Sequence, residues 1–205
     1  MIFRIKSKIL SILKVRVQFK KSKMKSVVVS AKHDTALVEK PIPQISTNQV
    51  LVRVAAVGVC QSDVEIYEGT RPAPYVRYPI TPGHEWCGTV VEVGAAVTHV
   101  RVGQRVAVEG HNFCGECYFC RRGQTNLCEH YNEFGFTLDG AYTEFVTVRG
   151  DLAHVFSDAL SFECAALTEP ASCVGHGLLR ANIARGDTAV VIGPGTIEKQ
   201  PRSVV

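Results

Sequence analysis

Cys114, Cys117, Cys120 and Cys128 follow one another as Cys-x2-Cys-x2-Cys-x7-Cys. Four thiolates this close along a chain can fold one loop around a single tetrahedral ion, and zinc favours sulfur ligands. Gly115 and Gly123 fall where the backbone must turn tightly to aim successive sulfurs inward. A ferredoxin-type cluster places its last cysteine about three residues on and follows it with proline. Here the interval is seven and Glu129 follows. Paired disulfides are the competing arrangement. The N-terminal residues make a poor secretory signal, however, and clustered cysteines in a reducing compartment read as metal ligands. A closed four-sulfur site leaves no open position, so its expected role is structural.

A second set of chemically capable residues is dispersed. Cys60 stands at the end of a long strand-like run in "GVCQSD", His84 and Glu85 in "PGHEWCG", and Glu169 in "LTEPAS". A zinc built for chemistry takes three protein ligands and keeps a fourth position open. Thiolate, imidazole and carboxylate all suit that ion. A third feature lies near the end of the chain. "VVIGPG" reads as a buried strand entering a glycine turn, with Gly193 and Gly195 as the first two glycines of G-x-G-x-x-G and Glu198 in place of the third.

Together these segments resemble the zinc-containing medium-chain dehydrogenases (the zinc alcohol dehydrogenase family). "GHEWCGTVVEVG" fits the family's G-H-E-x2-G-x5-G zinc signature, "GVCQSD" its first-ligand segment, and the cysteine cluster its structural-zinc lobe. The resemblance runs over residues 24–197. It is strongest to the sorbitol (L-iditol) or polyol branch, because Glu169 stands where the family's simple alcohol dehydrogenases carry cysteine. It implies a catalytic zinc on Cys60, His84 and Glu85, with Glu169 as an exchangeable ligand or an outer partner, and a structural zinc on the four clustered cysteines. It also implies Ser62 as a proton-relay hydroxyl, an alcohol or polyol substrate, NAD(P) as hydride acceptor with Gly193 and Gly195 at its phosphates, and a homo-oligomeric whole protein. Cys173 is a tempting substitute ligand, but it is expected to be core, as are Cys87 and Cys164. His33, His99, His111, His130, His154 and His176 are assigned no role.

The elements needed to hold these residues are mostly strands. "SVVVS", "QVLVRVAAVGVC", "GTVVEVG", "QRVAVEG" and "AYTEFVTV" are β-rich segments bounded by Gly, Pro, Asn and Asp, and "KPIPQIS" is a loop. They predict an antiparallel, barrel-like body, which the resemblance identifies as a GroES-like catalytic domain. After residue 157 the pattern turns helical, with Ser157 or Ser161 as cap and Pro170 splitting the run into two helices. "RGDTAVVIGPG" then begins an α/β Rossmann domain, of which the sequence carries one strand. The expected division is an extension over 1–23, the catalytic domain over 24–180, the start of the NAD-binding domain over 181–197 and an aberrant tail over 198–205. The family pattern stops after Ile197, so the sequence is read as C-terminally truncated. Hydride transfer by this chain alone is then not expected, and a non-catalytic zinc-binding piece is the alternative.

Charge narrows the partners. The chain of 205 residues carries a net charge of +4. Eight of its 23 basic residues lie in residues 1–23, which contain no acid, so the remainder holds fifteen bases against nineteen acids. The body is mildly acidic and has no footprint for nucleic acid. The basic extension reads as an upstream over-read before Met24, as an organelle-targeting segment, or as a membrane contact. With no long apolar run to span a membrane, the expected location is the cytoplasm.

Overall fold

The computed structural model describes residues 22–184, 186–188 and 190. Residues 1–21, the glycine turn at Gly193 and Gly195, and residues 198–205 therefore lie outside the described residues. A hairpin of β1 (Lys23–Ala31) and β2 (Asp34–Pro41) stands beside a five-stranded sheet. The sheet is built from β3 (Gln49–Val57), β4 (Trp86–Val93), β5 (Arg105–Val108), β6 (Phe145–Arg149) and β7 (Ala153–Val155), in the order β6-β3-β4-β5-β7. All pairings between these strands are antiparallel. Isolated bridges from Ser26 to Thr143 and from Val29 to Ile80 tie the hairpin to the larger body.

The sheet's core explains why β3 reads as an almost unbroken apolar run. Val50 and Val52 point into the main cluster with Trp86, Val90, Val106, Val146 and Leu152. Leu51, between them, enters a second cluster with Met24 and Phe145 on the other face. Both faces of this central strand are covered, so strict alternation of polar and apolar residues is lost.

Four α-helices, α1 (Gln61–Glu68), α2 (Tyr118–Arg121), α3 (Phe162–Ala166) and α4 (Thr168–Ala181), and two 3-10 turns, Thr125–Leu127 and Gly150–Leu152, complete the described residues. The expectation that Cys60 ends a strand is corrected here. β3 stops at Val57, and Cys60 is the N-cap of α1. The Asp63 carboxylate accepts the Cys60 N–H at 3.0 Å and the Cys60 sulfur accepts the Ser62 N–H at 3.3 Å, a reciprocal cap. Ile66 anchors the helix by full burial against Val29, Val76, Ile80 and Phe136, a burial that stabilises by about 1.5–3 kcal/mol.

The helical run after residue 157 is split in two, as the sequence predicts, though three residues before Pro170. Ser161 caps α3 through its side chain, the break falls at Leu167, and Pro170 sits in the first turn of α4. Proline is tolerated there because the first-turn N–H groups have no intrahelical partner. Arg105 fixes the approach to α3. Its guanidinium lies 4.7 Å from the Phe156 ring and 4.1 Å from the Phe162 ring, and donates to the carbonyls of Asp158 and Leu160. Cys87 is buried as expected. Cys164 and Cys173 are not: both are exposed, because α3 buries Ala165 and Ala166 while α4 buries only Pro170 and Val174.

Backbone contact explains part of the glycine pattern. A Cβ at Gly88, in β4, would stand 2.2 Å from the carbonyl oxygen of Arg53 in β3. No side chain rotation relieves that clash. Gly88→Ala is therefore expected to destabilise the domain by about 3 kcal/mol through overpacking, read as a lower urea midpoint with an unchanged denaturant slope.

Candidate metal centres

Each cluster is assembled by local backbone geometry. The cysteine lobe spans the residues between a two-stranded neck, in which the Asn112 N–H bonds to the Asn132 carbonyl at 2.8 Å and the Phe134 N–H to the Gly110 carbonyl at 3.0 Å. Gly115 and Gly123 both adopt positive φ (80° and 75°), so the expected tight turns are present. The N–H groups of Glu116 and Cys117 point at the Cys114 sulfur, and the N–H of Cys114 points at the Cys128 sulfur. The Arg149 guanidinium pins the lobe to β6 by donating to the Phe113 carbonyl, covering its ring and pairing with Asp151 at 2.6 Å.

Cys114, Cys117, Cys120 and Cys128 offer ligand atoms that all lie within 4.8 Å of one another. Backbone N–H groups of Cys120 and Glu129 bring the Cys117 thiol down to about 6, whereas burial pushes Cys120 up. A set that shares protons so unevenly is suited to a cation that removes them all.

The second cluster joins two segments. Cys60 comes from the cap of α1, and His84 and Glu85 from the segment entering β4. Their ligand atoms also converge within 4.8 Å, with the Cys60 sulfur 3.5 Å from His84 Nε2 and a Glu85 oxygen 4.0 Å from the same nitrogen. Gly58 leaves room for the Glu85 carboxylate, since a Cβ there would come within 2.4 Å of Oε2. Burial raises the Cys60 thiol, opposed by hydrogen bonds from the Ser62 hydroxyl and N–H. Burial likewise raises Glu85; His84 opposes the shift, and the charges of Glu169 and Asp63 add to it.

The structure therefore brings Cys60, Ser62, His84 and Glu85 together. Glu169 is not among the converging ligand atoms. It lies half-buried in the first turn of α4, where its Oε1 accepts from the Cys173 sulfur at 3.7 Å, and it reaches Glu85 through its charge alone. Beside it opens a cavity of ≈ 650 Å³ lined by Glu109, His111, His154, Thr168, Cys173 and His176, among others. Three of those histidines had been assigned no role from sequence, and the structure shows them at a cavity wall.

Two further residues were missed. Asp63 is buried, and among the described residues neither its Oδ1 nor the buried His84 Nδ1 has a hydrogen-bond partner. Asp63 was signalled by its position three residues after Cys60, a capping-box spacing. Glu133 had no local signal. It is buried at 8% exposure, and the Tyr131 hydroxyl donates to it. Burial pushes its carboxyl up to about 7, against the opposing charges of His84 and Arg71.

The pH consequence follows from that direction. The folded value of about 7 stands above the ordinary 4.5, so the fold binds this proton more tightly than the unfolded chain. Its stabilising contribution is full below the unfolded value and is lost as pH rises through the folded one. In metal-free chain, Glu133→Gln should therefore raise stability relative to wild type more at about pH 8 than at about pH 5. Urea midpoints of both proteins at the two pH values measure this difference.

The chain is similar to proteins already known. The model for the alcohol dehydrogenase GroES-like domain matches residues 46–158. A sorbitol dehydrogenase of Halalkalibacterium halodurans is 39% identical over 174 residues, covering 83% of this chain and 50% of that protein. A D-arabitol-phosphate dehydrogenase of Enterococcus avium is 37% identical, over 79% of this chain and 46% of its own length. An Escherichia coli alcohol dehydrogenase solved with NADH superposes with a TM-score of 0.81 at 33% identity, covering 88% of this chain and 52% of the other. The chain spans about half the length of the curated relatives it matches.

Proposed function

Since the chain belongs to the alcohol dehydrogenase GroES-like domain family, we propose that it forms the metal-bearing half of a zinc-dependent oxidoreductase that moves a hydride from a polyol or secondary alcohol to NAD(P). The observation that carries this reading is the convergence of Cys60, His84 and Glu85. Sulfur, nitrogen and oxygen donors from three residues are the set expected of a catalytic zinc with an open position.

Cys60, His84 and Glu85 would hold the catalytic ion, and Cys114, Cys117, Cys120 and Cys128 the structural one. Bound at Cys60, zinc supplies a Lewis acid that lowers the pKa of a ligated hydroxyl. The nicotinamide cofactor supplies the hydride acceptor, and Gly193 and Gly195 are assigned to its phosphates. The chain's own residues do the remainder. Ser62, whose hydroxyl hydrogen-bonds to the Cys60 sulfur, is placed to take a proton away from the site. Asp63 holds Cys60 in its cap. Glu169 is assigned the outer role, adjusting Glu85 through its charge.

Eight cysteines without a disulfide suit a reducing compartment, which supports a cytoplasmic site of action. No helix among the described residues is long and apolar enough to cross a membrane. A homo-oligomeric whole protein is carried over from the family resemblance.

Cobalt(II) substitution tests the metal chemistry without requiring turnover. Sorbitol is expected to shift the visible d–d bands of the ion at Cys60, and Cys60→Ser should abolish that response while the cobalt–thiolate bands of the four-cysteine cluster persist. Bands indifferent to sorbitol, or a response surviving Cys60→Ser, would contradict the proposal. The 205 residues are expected to bind sorbitol without reducing NAD+ by themselves.

A further inference from the structure

The loop that carries Glu133 is held against the candidate catalytic centre by its backbone. Glu133 bridges His111, and the adjoining Phe134 N–H bonds to Gly110. A Cβ on Gly110 would stand 3.7 Å from Glu133 Oε1 and 4.0 Å from His84 Cβ, so the carboxyl and the imidazole flank the same glycine. The carbonyl of Glu133 receives the N–H groups of Phe136, Thr137 and Leu138. That turn lays the Phe136 ring 4.7 Å from the His84 ring and under the Arg71 guanidinium.

The Glu133 side chain is poorly matched to a structural role. Among the described residues its one hydrogen bond comes from the Tyr131 hydroxyl, onto Oε2. A carboxylate has about four acceptor sites, and leaving them unmet in a buried place is costly. Among the described residues Arg71 makes no hydrogen bond to it: Nη1 pairs with Glu65 at 3.3 Å and Nε is buried without a partner. An apolar residue or glutamine would fill the same space at less cost. A donor-rich ligand is the missing partner.

Resting on the dehydrogenase reading above, we propose that Glu133 is a specificity-determining residue that accepts a hydrogen bond from a substrate hydroxyl and selects an uncharged polyol over a phosphorylated one. A polyol bound to the metal through one hydroxyl carries further hydroxyl donors along its chain, and Oε1 has no protein donor. A phosphate group would meet the carboxyls of Glu85, Glu133 and Glu169, against which the guanidinium of Arg71 brings a single positive charge already shared with Glu65 and Glu133. Similar proteins act on both kinds of substrate by name, a sorbitol dehydrogenase and a D-arabitol-phosphate dehydrogenase. The local charge places this chain with the first.

The test is calorimetric titration of zinc-loaded chain with sorbitol and with sorbitol 6-phosphate, in wild type and Glu133→Gln, with zinc content measured on the same samples. Wild type should bind sorbitol in preference to its phosphate. Glu133→Gln should weaken sorbitol roughly tenfold, as expected for exchanging a charge-assisted hydrogen bond for a neutral one, and should not weaken the phosphate. A thermal midpoint no lower than that of wild type would separate this from a folding defect. Unaltered sorbitol affinity in Glu133→Gln, or a wild-type preference for the phosphate, overturns the role of Glu133 alone if zinc is present at Cys60. Folded chain with no zinc at Cys60 overturns this role and the proposed function together.

Discussion

The candidate centre depends on one backbone clasp. The N–H groups of Gly140, Ala141 and Tyr142 bond in succession to the carbonyls of Thr81, Gly83 and Pro82, at 2.6, 2.8 and 2.9 Å. The contact is close enough to exclude side chains: a Cβ on Gly140 would lie 2.3 Å from the Gly83 carbonyl oxygen. Gly83 itself adopts φ 99°, a conformation in which other residues are strained. His84 follows directly, so the clasp fixes where the imidazole leaves the backbone. It also fixes the turn that carries Glu133 and Phe136. Cys60 arrives independently, on a helix cap anchored by Ile66, and Glu85 fills the space left at Gly58.

Electrostatics then makes this arrangement demanding. Cys60 and Glu85 are both raised by burial, and Asp63 adds a buried carboxyl with one oxygen lacking a partner among the described residues. Against these acceptors stands His84. Buried groups that disfavour their own ionisation while crowding around one point are stabilised by a cation, and binding it would release their protons. The four-cysteine lobe answers the same need differently. Backbone N–H groups turn onto its sulfurs, while Arg149 ties the lobe to the sheet.

What the sequence made legible were features whose cause is local. The spacing of Cys114 to Cys128 and the turns at Gly115 and Gly123 are written within one loop. So are the "GHE" segment and the apolar strands β1, β3, β4, β5 and β6. The strand β2, largely exposed, lacks an apolar face to announce it, and β7 is only three residues long. The helix α1 was hidden because a cysteine served as its cap. Glu133 was invisible because its meaning depends on Gly110 and His84, both distant in sequence. Cys164 and Cys173 were misread as core because the helical period alone does not say how little of α3 and α4 is covered.

As proposed above, the four-cysteine lobe and the Cys60 cluster, whose ligand atoms each converge within 4.8 Å, would hold one zinc ion apiece. Native mass spectrometry of folded protein after zinc loading tests it most directly. The account predicts two zinc ions per wild-type chain and one in Cys60→Ser, the retained ion belonging to the four-cysteine lobe. Folded wild-type chain carrying no zinc, or a Cys60→Ser chain still carrying two, would contradict it.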